Sequence, residues 1–256
     1  MATERGRAPS PVPLVVFDEV DSTNAEARRR AETGDRGPAW LFAHAQTAGR
    51  GRRGRSWETG EGNLAATLLL TLDRPPAETA QLSFVAALAV ADLACAYVPC
   101  SMVTLKWPND PMLAGRKVGG ILLESGPAAS GGQWMAVGIG VNLANPPSAP
   151  ERPATALARH MPPPAPAPLV ALQQLADAFE HWFQIWLAEG FAPIAAAWTA
   201  KAHGLGEACV ARLGAETVEG FAEGLDVDGA LLLRLPDGLL RRIAAGDVYF
   251  ASQSPG

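Results

Sequence analysis

From Gly206 onward the chain can fold into little other than a set of β-hairpins. Segments of about six residues alternate with turns at Gly214, Gly224, Asp228-Gly229 and Asp237-Gly238. Asp-Gly between apolar runs is a strong signal of a β-hairpin. About 45 residues of this kind make a small β-barrel. The rest of the 256-residue chain is then available for one larger domain with a single core. Residues 1–13 carry Arg, Gly, Pro and Ser without an apolar period and read as a disordered start. The expected division is therefore 1–13, 14–205 and 206–253.

Within 14–205, strands and helices alternate. Leu14–Val20 is β-rich, and Thr23 with Glu26 three positions later predicts a capping box opening a helix. Trp40–Ala45 reads as a strand. Leu64–Leu72, with five leucines and two threonines in nine residues, reads as a buried one. After Pro75-Pro76, Glu78–Tyr97 has the length and composition of a long core helix. Met102–Trp107 and Val118–Glu124 are expected as strands around a turn at Pro108-Asn109-Asp110-Pro111. Trp134–Leu143 is another strand, and its isolated Gly138 and Gly140 predict a close approach to the backbone. Residues 145–168 hold nine prolines and form a connection with one short helix near Thr155–His160. Leu169–Glu189 follows with a helical period. The pattern is that of an α/β domain.

Composition narrows the class. With 48% hydrophobic and 18% charged residues the chain is neither disordered nor fibrous. A net charge of −5 argues against an obligate nucleic-acid binder. No basic segment followed by an apolar one opens the chain, so secretion is not expected. The most apolar stretch, Leu82–Val98, is interrupted by Asp92 and falls short of the ~20 residues of a membrane span. Cys95, Cys100 and Cys209 suggest neither a disulfide framework nor a metal-type CxxC pair. A reduced, cytoplasmic protein is the expectation. Of 21 basic residues only Lys106, Lys117 and Lys201 are lysines. In so arginine-biased a chain a lysine can mark a place where arginine would not serve, although for Lys201 chance suffices.

Four groups of residues carry chemistry. In Gly49-Arg50-Gly51-Arg52-Arg53-Gly54-Arg55-Ser56-Trp57, four arginines in six residues repel one another and call for an anion. The glycines let backbone approach that anion and let the loop move. Arginine forks suit carboxylate or phosphate, and a tryptophan face suits a flat base. The same composition also suits a nucleic-acid grip. Lys106-Trp107-Pro108-Asn109-Asp110, followed by Lys117-Val118-Gly119-Gly120, sets two cations beside a carboxylate able to face magnesium, or else forms a solvated turn. Asn142 ends the apolar run Gly138-Ile139-Gly140-Val141, as a ligand contact or as a turn closure. Ser22-Thr23-Asn24 stands at a helix start, where capping and the binding of a polar head group use the same free N–H groups.

In this order and spacing, and with Gln46 preceding the arginine loop, these motifs closely resemble the biotin protein ligases over residues 14–250. The arginine-glycine loop and the Lys106–Asp110 turn are specific to that family. The resemblance implies a catalytic domain of seven-stranded α/β type, its mixed sheet flanked by helices, with a C-terminal SH3-like β-barrel. It implies ATP-dependent activation of biotin to biotinyl-5′-AMP with release of pyrophosphate, then transfer to one lysine of a biotin carboxyl carrier domain. Ser22, Thr23, Asn24 and Gln46 resemble the biotin head-group residues. Arg50, Gly51, Arg52, Lys117 and Gly120 complete the biotin site. Arg53, Arg55, Trp57, Lys106, Asn109 and Asn142 resemble the ATP and adenylate contacts, with Trp57 packing on adenine. Lys117, Lys106 and Arg52 match catalytic positions, and Asp110 the acidic residue near Mg²⁺. The helix-turn-helix domain of bifunctional members is not expected, so neither specific DNA nor a membrane is an expected partner. A homodimer stays open. His44 stands where an acidic residue is common and reads as structural.

The chemistry of the residues agrees with that implication. Joining a carboxylate to an α-phosphate brings two anions together, so aimed cations lower the barrier without an enzyme nucleophile. An acyl-adenylate hydrolyses readily, and a glycine-jointed loop is a suitable lid. A lipoate ligase would share this logic but not these motifs, and a nucleic-acid regulator would want a second basic patch.

Overall fold

The computed structural model describes residues 12–250 apart from 130, 151, 152 and 215, so most of the expected disordered start lies outside the described residues. The catalytic-domain strands are β1 (Leu14–Val20), β2 (Ala39–Gln46), β3 (Leu64–Leu72), β4 (Val103–Lys106), β5 (Asp110–Leu113), β6 (Arg116–Lys117), β7 (Gly119–Pro127) and β8 (Gln133–Val141). The helices are α1 (Thr23–Glu32), α2 (Pro76–Thr79), α3 (Leu82–Cys95), α4 (Pro168–Glu189) and α5 (Phe191–Ala200). The main sheet runs β1-β2-β3-β8-β7. It is mixed, because β1 lies parallel to β2 while the other pairs are antiparallel. In place of seven strands in one sheet, a second sheet β4-β5-β6 stands beside the first.

One face of the main sheet carries α1 over a small core of Ala27, Ala31, Leu41, Leu69, Trp134 and Ala136. The other carries α3 and α4, and α5 packs on those two helices. Eleven of the fourteen α3 side chains are buried, which is why that helix is apolar all round. The 20-residue stretch Pro76–Cys95 is long and apolar enough to span a bilayer, but 72% of its apolar window is buried inside the protein, the position of a core helix.

Several local expectations change. The single helix expected over Glu78–Tyr97 is broken at Ala80-Gln81, where the buried Gln81 side chain accepts the Trp186 indole N–H at 2.8 Å. The N-cap of α1 is Ser22, not Thr23. Glu26 pairs with Arg29 and Arg30 instead of reaching back to close a capping box. Asp110 does not end in a turn but opens β5, opposite Lys106. Cys95 and Cys100 are joined as a disulfide, against the expectation of three unlinked thiols. After α3 the chain turns through Pro99 and brings the two Cα atoms to 4.8 Å, within disulfide reach. Cys209 is buried and unlinked. Helix α5 has no counterpart in the sequence reading. Its Pro193 looks like a breaker, yet it stands in the first turn, where a missing N–H costs nothing.

The C-terminal strands β9 (Ala208–Leu213), β10 (Glu216–Leu225), β11 (Leu231–Arg234), β12 (Leu240–Ile243) and β13 (Asp247–Phe250) form an antiparallel sheet in the order β12-β11-β10-β9-β13. Gly214, Asp228-Gly229 and Asp237-Gly238 lie at turns. Gly224 does not: it lies inside β10 at a bulge, where the register with β11 shifts. This sheet is not an independent lobe. Cys209, Ala211 and Phe250 belong to the same hydrophobic cluster as Phe84 and Trp198. The buried Trp107 indole donates to the Gly229 carbonyl at 3.0 Å across the junction. A Cβ on Gly229 would fall 2.6 Å from the Phe84 ring, so glycine permits the close packing there.

Candidate active site

A cavity of about 250 Å³ opens beside the β3-β8-β7 part of the sheet. Its walls include Ser22, Thr23, Asn24, Gln46, Arg50, Gly51, Arg52, Arg55, Trp57, Asn109, Asp110, Lys117, Gly120 and Asn142, drawn from segments far apart in sequence. Lys106 and Arg53 are the two candidate residues not among its lining. Lys106 is 4% exposed, and its ammonium lies 5.7 Å from the Tyr249 ring centroid and 5.8 Å from that of Phe250. It thus meets the C-terminal domain as a cation over aromatic faces. Arg53 pairs with Asp247 at 3.1 Å. His44 sits edge-on to Phe42 at 4.9 Å and is not in the lining.

At one end of the cavity the polar residues satisfy one another. Thr23 donates through its N–H (2.8 Å) and its hydroxyl (3.2 Å) to the Gln46 side-chain carbonyl, whose amide donates to Thr59 Oγ1 at 2.9 Å. The Thr67 hydroxyl lies 2.7 Å from both Thr23 Oγ1 and Asn24 Oδ1. Asn24 Nδ2 reaches Glu124 at 2.8 Å and the Leu122 carbonyl at 3.2 Å. Ser22, Thr23, Asn24 and Thr67 are all buried, so this wall is fixed before any ligand arrives.

The glycines of the sheet serve the protein's own side chains. A Cβ on Gly138 would stand 2.2 Å from Asn24 Oδ1, and one on Gly140 2.3 Å from the Trp57 indole. A Cβ on Gly120 would stand 3.0 Å from Trp57 Cζ3. The close approach predicted for these positions is thus made by Asn24 and Trp57.

The cationic side is built differently. Lys117 Nζ lies 2.5 Å from Asp110 Oδ1 and 5.8 Å from the Trp57 ring centroid. Asn109 donates to the Ile121 carbonyl and accepts from Arg52 at 3.1 Å. Asn142 Nδ2 donates to the Thr155 carbonyl at 3.0 Å, tying β8 to the proline-rich connection. That connection supplies Pro147, Ala149, Pro150 and Ala154 as a wall, a part its composition did not foretell.

The arginine loop closes on itself. Trp57 N–H donates to the Gly49 carbonyl at 2.9 Å and Gly51 N–H to the Arg55 carbonyl at 2.7 Å. Arg53 takes a positive φ of 56° at the tip, beside Gly54 at 73°. Arg50 reaches Glu124 at 3.2 Å. Arg53 and Arg55 both reach Asp247 of β13, at 3.1 and 3.0 Å. Burial pushes the Arg52 guanidinium pKa down, while the charges of Asp247 and Asp110 oppose the shift. Glu124, Thr67 and Asp247 were not singled out by sequence, and no local motif marks them.

The model of the biotin/lipoate A/B protein ligase family matches residues 16–142, and that of the biotin protein ligase C-terminal domain matches 204–251. A biotin–[acetyl-CoA-carboxylase] ligase of Paracoccus denitrificans is 47% identical over 90% of this chain and 97% of its own length. The chain belongs to the biotin protein ligase family. Within that family the Bacillus subtilis bifunctional ligase/repressor BirA is 30% identical over 92% of this chain and 73% of its own. Among solved structures, the biotin protein ligase of Aquifex aeolicus in complex with biotin and ATP superposes with a TM-score of 0.77 at 27% identity, covering 93% of this chain and 98% of that one. The Leishmania major biotin protein ligase in complex with biotinyl-5-AMP gives a TM-score of 0.62 at 25% identity, covering 92% and 100%.

Proposed function

We propose that this chain is an ATP-dependent biotin–protein ligase that works in two steps inside the cavity. The observation that carries this reading is that one 250 Å³ space gathers Ser22–Asn24, Gln46, the arginine loop, Asp110 with Lys117, and Asn142. In the first step a biotin carboxylate oxygen attacks the α-phosphorus of ATP, and the bond to pyrophosphate breaks. In the second, a carrier-domain lysine amine attacks the acyl carbon, and AMP leaves with the electron pair of the mixed anhydride.

Ser22, Thr23, Asn24 and Gln46 hold the biotin head group, with Gly120 beneath the tail. Lys117 and Arg52 face the reacting anions. Arg50 and Gly51 help the loop to close. Trp57, Arg55, Asn109 and Asn142 form the adenylate side, which Lys106 and Arg53 support from the C-terminal junction. Magnesium enters with the nucleotide. Among the described residues no cluster of three or more His, Cys, Asp or Glu side chains could hold a metal by itself. Asp110 with phosphate oxygens is a donor set that magnesium accepts. When bound, the ion offsets phosphate charge.

The acceptor is a biotin carboxyl carrier domain, and the setting is the cytoplasm, where acetyl-CoA carboxylation takes place. Specific DNA, a membrane and a required homodimer have no part in this reading. Biotin-dependent exchange of labelled pyrophosphate into ATP tests it. Wild-type protein is expected to support exchange with biotin and not with lipoate. Equal exchange with lipoate, or none with biotin, overturns it.

A further inference from the structure

Glu124 lies between two parts of the site that the motifs treat separately. It stands on β7 opposite Ala136 of β8, with 26% of its side chain exposed. On one side it accepts from Asn24 Nδ2 at 2.8 Å, and on the other it pairs with Arg50 at 3.2 Å. The second amide proton of Asn24 goes to the Leu122 carbonyl, and its Oδ1 accepts from Thr67. Every polar position of that amide is therefore used except one lone pair on Oδ1. A flipped amide would set its oxygen against the Glu124 carboxylate and its NH₂ over Gly138, so the network admits one orientation only. Arg50 opens the arginine loop, directly after Gly49, so the same carboxylate fixes the entry to the loop.

We propose that Glu124 is a positioning residue for biotin. It presents Asn24 Oδ1 to the head group through one hydrogen bond and holds the base of the loop through one ion pair. This rests on the biotin-ligase reading above and adds to it a link between head-group recognition and loop position. The two arms separate chemically. Gln at 124 keeps a carbonyl acceptor for Asn24 and loses the charge that attracts Arg50, while Ala loses both.

The test measures biotin affinity by calorimetry, KM for biotin and for ATP in pyrophosphate exchange, and the release rate of preformed biotinyl-5′-AMP. Wild type, Glu124→Ala, Glu124→Gln and Arg50→Ala are compared, with thermal unfolding as the check on folding. Losing a hydrogen bond to a charged group costs roughly 10-fold or more. Glu124→Ala is expected to weaken biotin binding and raise the biotin KM by about that factor, with the ATP KM within about threefold. Glu124→Gln is expected to recover most of the biotin affinity but to release the adenylate faster, matching Arg50→Ala. An unchanged biotin affinity in folded Glu124→Ala overturns the proposal. So does an equal rise in both KM values, which marks a merely structural role, or a Gln variant no better than Ala. If wild type itself neither binds biotin nor exchanges pyrophosphate, the functional reading fails and the proposal falls with it. That result differs from a wild type that turns over biotin while Glu124→Ala is silent.

Discussion

The head-group wall and the arginine loop border the same cavity but are built by opposite rules. The wall is uncharged, buried at Ser22, Thr23, Asn24 and Thr67 and half-buried at Gln46, and closed by hydrogen bonds between its own members. The loop is partly exposed and cationic, held by ion pairs to Glu124 and Asp247. Buried networks are costly to rearrange, whereas partly exposed ion pairs are worth at most about 1 kcal/mol each. The wall is thus suited to recognition by a fixed shape and the loop to opening and closing. Its two anchors belong to different domains, so its resting position reports on how the C-terminal sheet sits against the catalytic one.

Removing the cation that both regions face is expected to have the largest effect. Lys117→Ala should lower the pyrophosphate-exchange rate by ~10²–10³. Lys117→Arg should also be impaired, because a planar fork does not replace a compact ammonium beside Asp110. Wild-type rates in Lys117→Ala would place the lysine outside the chemistry.

The next effect separates making the intermediate from keeping it. Arg52→Gly should slow adenylation only modestly while shortening the residence of biotinyl-5′-AMP by about 10- to 150-fold, the worth of one charged hydrogen bond. Escaped adenylate acylates exposed lysines, so streptavidin blots of a lysate treated with the variant should show bystander proteins labelled. Labelling confined to the carrier would mean that the loop does not retain the intermediate.

A smaller change is expected when the loop loses its far anchor. Asp247→Asn should raise adenylate release by a few-fold, and more in low salt than in high, because surface attraction is screened. Limited proteolysis between Gly49 and Trp57 should quicken in parallel. A variant whose loop is cleaved no faster would show that the loop holds its place without β13.

The smallest effect lies beneath the wall. Arg29, through a charged hydrogen bond, holds the Asp21 carboxyl down at about 2, from an ordinary 3.8. A carboxyl with a lowered folded-state pKa adds stability that is complete above about pH 4 and is lost as pH falls through 2. The pair is about half exposed, so Arg29→Ala should cost less than about 1 kcal/mol at pH 7 and only a small part of that at pH 2, where the Asp21 carboxyl is half protonated. Denaturant titrations at the two pH values measure this, and an equal cost at both would assign the loss to packing.

Much of this was legible in residue order. Leu64–Leu72 is the strand its leucines and threonines announced, and Asp228-Gly229 and Asp237-Gly238 are hairpin turns. The candidate residues line one cavity apart from Lys106 and Arg53. Lys106 looked like Lys117, a lysine at a strand end, but it is buried with its ammonium over the Tyr249 and Phe250 rings of β13. Gly224 looked like the other hairpin glycines, yet it sits in a bulge because β10 continues past it to pair with β11. Neither outcome is written in the neighbouring residues.

Sequence alone determined which chemical groups the chain brings and where its backbone turns. Helical period, β-alternation and turn residues act over a few positions and can be read in place. Only the tertiary structure decided who meets whom. Asn24 finds Glu124 across 100 residues, and Arg53 finds Asp247 across 194. Strand order and register set such pairings, and shifting a strand by one residue turns its side chains to the opposite face. The pairing of β7 with β8 places Glu124 beside Asn24, and the packing of the C-terminal sheet places Asp247 under the loop. No local pattern in either segment encodes its partner.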